Sequence, residues 1–154
     1  MGYKRILVPV DGSPTSAKGL KEAIKLAAAS KGRARARLRL LLVVEEFAAF
    51  SAAEIGADIG PVLEAMKAGG RRTLARIERN ARAAGVRAET ALMENFGGRV
   101  ADAIVKQAKR WRADLIVMGT HGRRGVKRAL LGSDAELVVR YSPVPVLLIP
   151  ARRR

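Results

Sequence analysis

The sequence predicts an α/β fold: a single three-layer α/β/α domain built on a five-stranded parallel sheet. Three observations lead there. Short apolar runs alternate with helix-periodic stretches in the order β-α-β-α-β-α-β-α-β, the pattern of a parallel sheet with helices on both faces. Runs such as Ile6-Leu7-Val8 and Leu40 to Val44 are continuously apolar, as strands covered on both faces must be. A glycine-rich stretch from Met118 to Ser133 joins the fourth strand to the last helix. Loops leaving strand C-termini are where such sheets hold ligands.

The first strand lies within Tyr3 to Val10. In the following Asp11-Gly12-Ser13-Pro14, Ser13 suits a helix cap and Pro14 the first turn. Leu20, Ala23, Ile24 and Ala27 then recur at helical spacing, with Lys18, Lys21 and Lys25 between them. Gly32 ends that helix. The second strand region runs from Arg33 to Glu46, and Arg33, Arg35, Arg37 and Arg39 alternate with apolar residues at its start. That row reads as an exposed strand edge guarded by charge, in preference to an anion-binding face. Phe47 to Gly60 reads as a loop or short helix over one edge. Pro61 starts the next helix and Gly85 stops it, and the Gly69-Gly70 pair inside predicts a kink or break.

Val86 to Met93 is the third strand, and Asn95-Phe96-Gly97-Gly98 a turn. A helix follows from Val100 to near Trp111. Trp111 sits at a helix C-terminus, away from strand ends, so it is assigned to the core and not to ligand stacking. Asp114 to Met118 is the fourth strand, Asp134 to Tyr141 the fourth helix with Ser133 as its N-cap, and Val146 to Ile149 the last strand. Residues 1–150 thus form the domain, and residues 151–154 a basic tail.

Composition narrows the function classes. With 154 residues and 49% of them apolar, the chain has enough material for a real core. The absence of cysteine excludes disulfides, thiolate metal sites and a cysteine nucleophile, and it fits a cytoplasmic protein. The apolar run at Ile6 to Val10 is too short for a signal peptide, and no run approaches the roughly 20 residues of a membrane helix. The formal charge of +16 favours anionic partners such as nucleotides, nucleic acid or acidic lipid, or else marks a solvated arginine-rich surface. No motif for reading nucleic acid accompanies it.

With a strand order of 3-2-1-4-5, the first and fourth strands are neighbours at the switch in strand order. The loops Pro9 to Ser13 and Met118 to Ser133 then line one crevice. A strand, a glycine-rich loop and a helix N-terminus in succession form an anion cradle, because the helix offers unpaired N–H groups and the positive end of its dipole.

The stretch Gly119-Thr120-His121-Gly122, nine further residues, then Gly132-Ser133 fits the pattern Gly-x2-Gly-x9-Gly-Ser/Thr. By this signature the chain resembles the universal stress protein family, in its ATP-binding subtype. ILVPVDGS (Ile6 to Ser13), LLVVEE (Leu41 to Glu46), DLIVMGTHGR (Asp114 to Arg123) and PVPVLLIP (Pro143 to Pro150) extend the likeness over nearly the whole chain. The resemblance implies a fold related to the adenine-nucleotide α-hydrolases, a bound ATP (or AMP or ADP) with Mg²⁺, and a homodimer through Val146 to Ile149. Position by position it implies that Pro9, Val10 and Asp11 border the adenine and phosphates, with Asp11 near the ribose or a phosphate-bound metal. It sets Val44 against the adenine and Met118 and Gly119 beside the ribose. Gly122, Gly132 and Ser133 would hold the phosphates through backbone N–H groups and the serine hydroxyl.

This sequence also departs from the family pattern. Asp134 stands where a neutral residue is more usual, and a carboxylate beside a triphosphate repels it unless a divalent cation intervenes. Arg123, Arg124, Lys127 and Arg128 crowd the nine-residue insert, either as phosphate donors or as a solvated loop. His121, the only histidine, has no evident nucleophile or orienting partner. It is read as a loop-positioning or phosphate-bonding residue, and no catalytic residue is assigned. The expected function is an ATP-binding stress or regulatory protein, with slow hydrolysis or none. The alternatives are a polyanion- or nucleic-acid-binding stress protein, or an ATP-hydrolysing enzyme of the same fold class.

Overall fold

The structure, a computed structural model, describes residues 2–30, 35–45, 58–120 and 131–150. Its elements are β1 (Arg5–Pro9), α1 (Pro14–Ala29), β2 (Arg37–Glu45), α2 (Gly60–Ala83), β3 (Arg87–Asn95), α3 (Val100–Trp111), β4 (Leu115–Gly119), α4 (Ser133–Tyr141) and β5 (Val146–Ile149). The strands form one parallel sheet in the order β3-β2-β1-β4-β5, so β1 and β4 are neighbours as predicted.

Side-chain alternation along the strands divides the core into two layers. Ile6 and Val8 of β1, Leu38 and Leu40 of β2 and Val117 of β4 face Leu20 and Ala23 of α1 and Leu74 and Ile77 of α2. Leu7, Leu41, Ile116 and Met118 point the other way, onto Ile104, Ala108 and Trp111 of α3 and Val138 of α4. Ile6, Leu7 and Val8 are all fully buried, which is why the middle of β1 carries no polar face. Asp114 precedes β4 and ties it to β1: its carboxylate accepts from the Lys4 and Arg5 backbone N–H groups at 2.7 and 3.0 Å.

Three expectations are corrected. The Gly69-Gly70 pair does not break α2, which runs unbroken from Gly60 to Ala83. Gly70 is buried against the sheet, and a Cβ there would meet Leu92 Cδ1 at 2.8 Å and Leu42 Cδ2 at 3.2 Å. The glycine serves close helix–sheet contact, and the packed face outweighs the low helix propensity.

The arginine row does not mark a sheet edge. β2 lies between β1 and β3, and Arg39 Nη2 donates to Glu89 Oε2 on β3 at 3.0 Å. The Arg39 and Arg37 guanidinium groups lie 4.9 and 5.6 Å from the centre of the Trp111 ring. Stacking on the indole gives these cations a place beside the core. Trp111 itself is 7% exposed, a core residue as expected.

Lastly, Ser133 is not the cap of α4. Gly132 holds the extended N-cap conformation (φ −74°, ψ 153°), and Ser133 is the first helical residue. The stretch 46–57, Arg33, and the tail 151–154 lie outside the described residues.

Candidate functional site

A crevice of about 1210 Å³ opens along the C-terminal ends of β1, β2 and β4. Small-molecule sites usually occupy ~300–1,000 Å³, so the space accommodates a ligand the size of a nucleotide. Each wall follows from local sequence.

On the β1 side, Gly12 (φ +81°) turns the chain in a conformation that L side chains rarely adopt. The turn is then closed by its own side chains. Asp11 Oδ1 accepts from the Ser13 N–H at 2.8 Å, Ser16 Oγ accepts from the Asp11 N–H at 3.2 Å, and Ser13 Oγ accepts from the Ser16 N–H at 3.1 Å. Ser13 is thus the cap of α1, as the sequence suggested, and its hydroxyl takes up the Ser16 N–H of the first turn.

On the β4 side the arrangement differs. Gly119 comes so close to α1 that a Cβ on it would meet Thr15 Cγ2 at 2.7 Å and the Thr15 carbonyl carbon at 2.9 Å. The next residue, Thr120, accepts from the Gly132 N–H at 2.8 Å through its carbonyl, and its own N–H donates to the Ile149 carbonyl at 3.0 Å. These bonds fix both ends of the insert. The α4 N-terminus then opens into the crevice with a glycine cap, which supplies no side-chain acceptor for the first-turn N–H groups.

The third wall is the N-terminus of α3. Asn95 Nδ2 donates to the Gly98 carbonyl at 2.6 Å and shapes the turn that leads into it. Arg99 is the N-cap residue, with no side-chain cap bond of its own. Instead Asp134 Oδ1, from α4, lies 3.3 Å from the Ala101 N–H. The first turns of α3 and α4 are clasped by that carboxylate.

The universal stress protein family model matches residues 2–150. The chain belongs to the universal stress protein family. Universal stress protein MJ0531 of Methanocaldococcus jannaschii is 34% identical over 147 residues, which cover 96% of this chain and 82% of the relative. Among solved structures, MJ0577 of the same organism superposes with a TM-score of 0.85 at 25% identity over all of both chains. A universal stress protein solved in complex with cAMP superposes with a TM-score of 0.65 at 27% identity, over 97% of this chain and 98% of that one.

In this universal stress protein the crevice is lined by Pro9, Val10, Asp11, Val44, Met118, Gly119, Gly132, Ser133 and Asp134, all singled out in the sequence. His121, Gly122 and Arg123 lie outside the described residues. Asp134 lines the crevice, and its carboxylate accepts from the Ala101 N–H at the α3 N-terminus. Among the described residues no group of three or more His, Cys, Asp or Glu could hold a metal.

Sequence reading missed Arg99, Met66, Gly69, Gly70 and Thr73, which also line the crevice. The signal for Arg99 was present: it leaves the Gly97-Gly98 turn after β3, and every strand of a parallel sheet ends on the same edge.

Proposed function

We propose that this universal stress protein binds an adenine nucleotide, ATP with Mg²⁺, and works as a nucleotide-holding regulatory protein with slow hydrolysis at most. The observation that carries the reading is the contrast between two helix N-termini at one crevice. That of α1 is closed by Ser13, whereas that of α4 follows the uncapped Gly132. A phosphate group supplies the acceptor that Gly132, having no side chain, does not. The cAMP complex of a 27% identical relative supports the same ligand class.

In this reading Gly132 and Ser133 hold phosphate through backbone N–H groups and the serine hydroxyl, and Met118 and Gly119 lie beside the ribose. Val44 contacts the adenine, with Pro9 and Val10 at its border. Asp11 offers a hard carboxylate ligand to a phosphate-bound Mg²⁺. From the insert, Gly122, His121 and Arg123 add phosphate contacts. The reading also places the protein in the cytoplasm as a homodimer joined through β5, an edge strand of the sheet.

Titration with a fluorescent ATP analogue in the presence of Mg²⁺ tests the proposal. Saturable sub-millimolar binding is expected, and its absence in folded protein overturns it. Gly132→Val is the matched control. The glycine φ of −74° suits any residue, so the backbone admits valine while the added side chain occupies phosphate space, and thermal unfolding of the variant checks that it is folded. Binding is expected to weaken by about tenfold or more, the loss of roughly one charge-assisted hydrogen bond.

A further inference from the structure

The crevice is short of positive charge among its described residues. Asp11, Glu45, Asp134 and Glu136 all line it, and Arg99 is the one described cation that does. A nucleoside triphosphate brings several more negative charges to this wall. A cation facing that wall therefore favours the added phosphates.

Arg99 is placed to meet them. It is exposed, and no acidic residue among those described pairs with it. Its backbone is extended (φ −85°, ψ 143°) at the cap of α3, where the Asn95–Gly98 hydrogen bond holds the preceding turn. Two residues on, the Ala101 N–H meets Asp134 Oδ1 at 3.3 Å, and Asp134 directly follows Ser133. One arginine side chain is long enough to cross from the α3 cap to the first turn of α4. Because Asp134 is occupied by the α3 N-terminus, it competes little for that guanidinium.

We propose that Arg99 contacts the terminal phosphates of the bound nucleotide and makes the crevice selective for nucleoside polyphosphates over monophosphates. This rests on the nucleotide reading above and adds a specificity-determining residue to it. The α-phosphate lies at Gly132 and Ser133, on backbone donors that any adenine nucleotide reaches. The β- and γ-phosphates extend across the crevice to the α3 wall, where the planar guanidinium donates to two oxygens at once. A monophosphate ends before that wall and gains nothing from it.

The test is calorimetric titration of the native chain, Arg99→Gln and Arg99→Lys with ATP, ADP and AMP, each with Mg²⁺. Arg99→Gln is expected to weaken ATP binding about tenfold or more, the scale of one charge-assisted phosphate contact. AMP binding is expected to change less than about twofold, and ADP to fall between; Arg99→Lys restores part of the loss, as a point charge without the fork. Melting temperatures should coincide, since Arg99 is exposed. Equal weakening of ATP and AMP, or ATP binding unchanged in Arg99→Gln, overturns the inference while leaving nucleotide binding intact. A native chain that binds none of the three nucleotides overturns the nucleotide reading and this inference together.

Discussion

Glu89 shows how one side chain of this protein balances opposed effects. Burial raises its carboxyl pKa, but the hydrogen bond and charge of Arg39, the Trp111 indole and the charge of Arg37 together outweigh burial and hold it below the ordinary value of 4.5. An acid depressed in the folded state contributes stability above its unfolded pKa and loses it as pH falls through the folded one. Glu89→Gln is therefore expected to be less stable than the native chain at neutral pH, with the gap closing below 4.5. The pair is partly solvated, with the Glu89 side chain 42% exposed, so the neutral-pH gap is at most ~1 kcal/mol. Urea midpoints measured across that range check it, and a gap that stays constant down to about pH 3 refutes the linkage. None of this was legible in the sequence. The alternation of Arg37 and Arg39 was visible, but their partner Glu89 lies fifty positions away.

At the scale of elements, α2 separates propensity from packing. Gly69 and Gly70 are adjacent in one helix, yet a Cβ at Gly69 would meet only Arg72 Nη2, at 3.8 Å, whereas one at Gly70 would press into Leu92 and Leu42. Gly69→Ala is expected to stabilise the fold by ~0.5–1 kcal/mol, the helical cost of glycine removed. Gly70→Ala is expected to gain less or to lose, because the leucines must move. Thermal unfolding of the two variants gives the comparison, and equal gains would remove the packing explanation for Gly70. The helix itself was legible, because Leu74, Ile77 and Ala81 mark its buried face. Its continuity was not, because a glycine that breaks a helix and one that fits against a sheet read alike. The cap of α4 misled in the same way: Ser133 is a good cap by type, but the carbonyl that accepts the Glu136 N–H belongs to Gly132.

The whole molecule carries +16, and dimerisation brings two such charges together. β5 is an edge strand with Leu147 38% exposed, and an apolar strand edge is a ready template for pairing. The proposed dimer should therefore tighten as added salt screens the repulsion between copies, over a Debye length of ~10 Å at 0.1 M. Sedimentation should show Leu147→Asp as a monomer that still binds ATP, and a variant that dimerises like the native chain excludes β5 as the contact. At this scale most was legible: continuous apolar strands between amphipathic helices require a covered parallel sheet, and β1 and β4 do lie side by side. The crevice was half legible. Residues flanking the glycine signature announced themselves, whereas Arg99 was marked only by its place after the Gly97-Gly98 turn at the end of β3. The hydrogen bond between Thr120 and Gly132 has one more consequence. It ties the cap of α4 directly to the end of β4, so the direction in which that helix points into the crevice is inherited from the sheet.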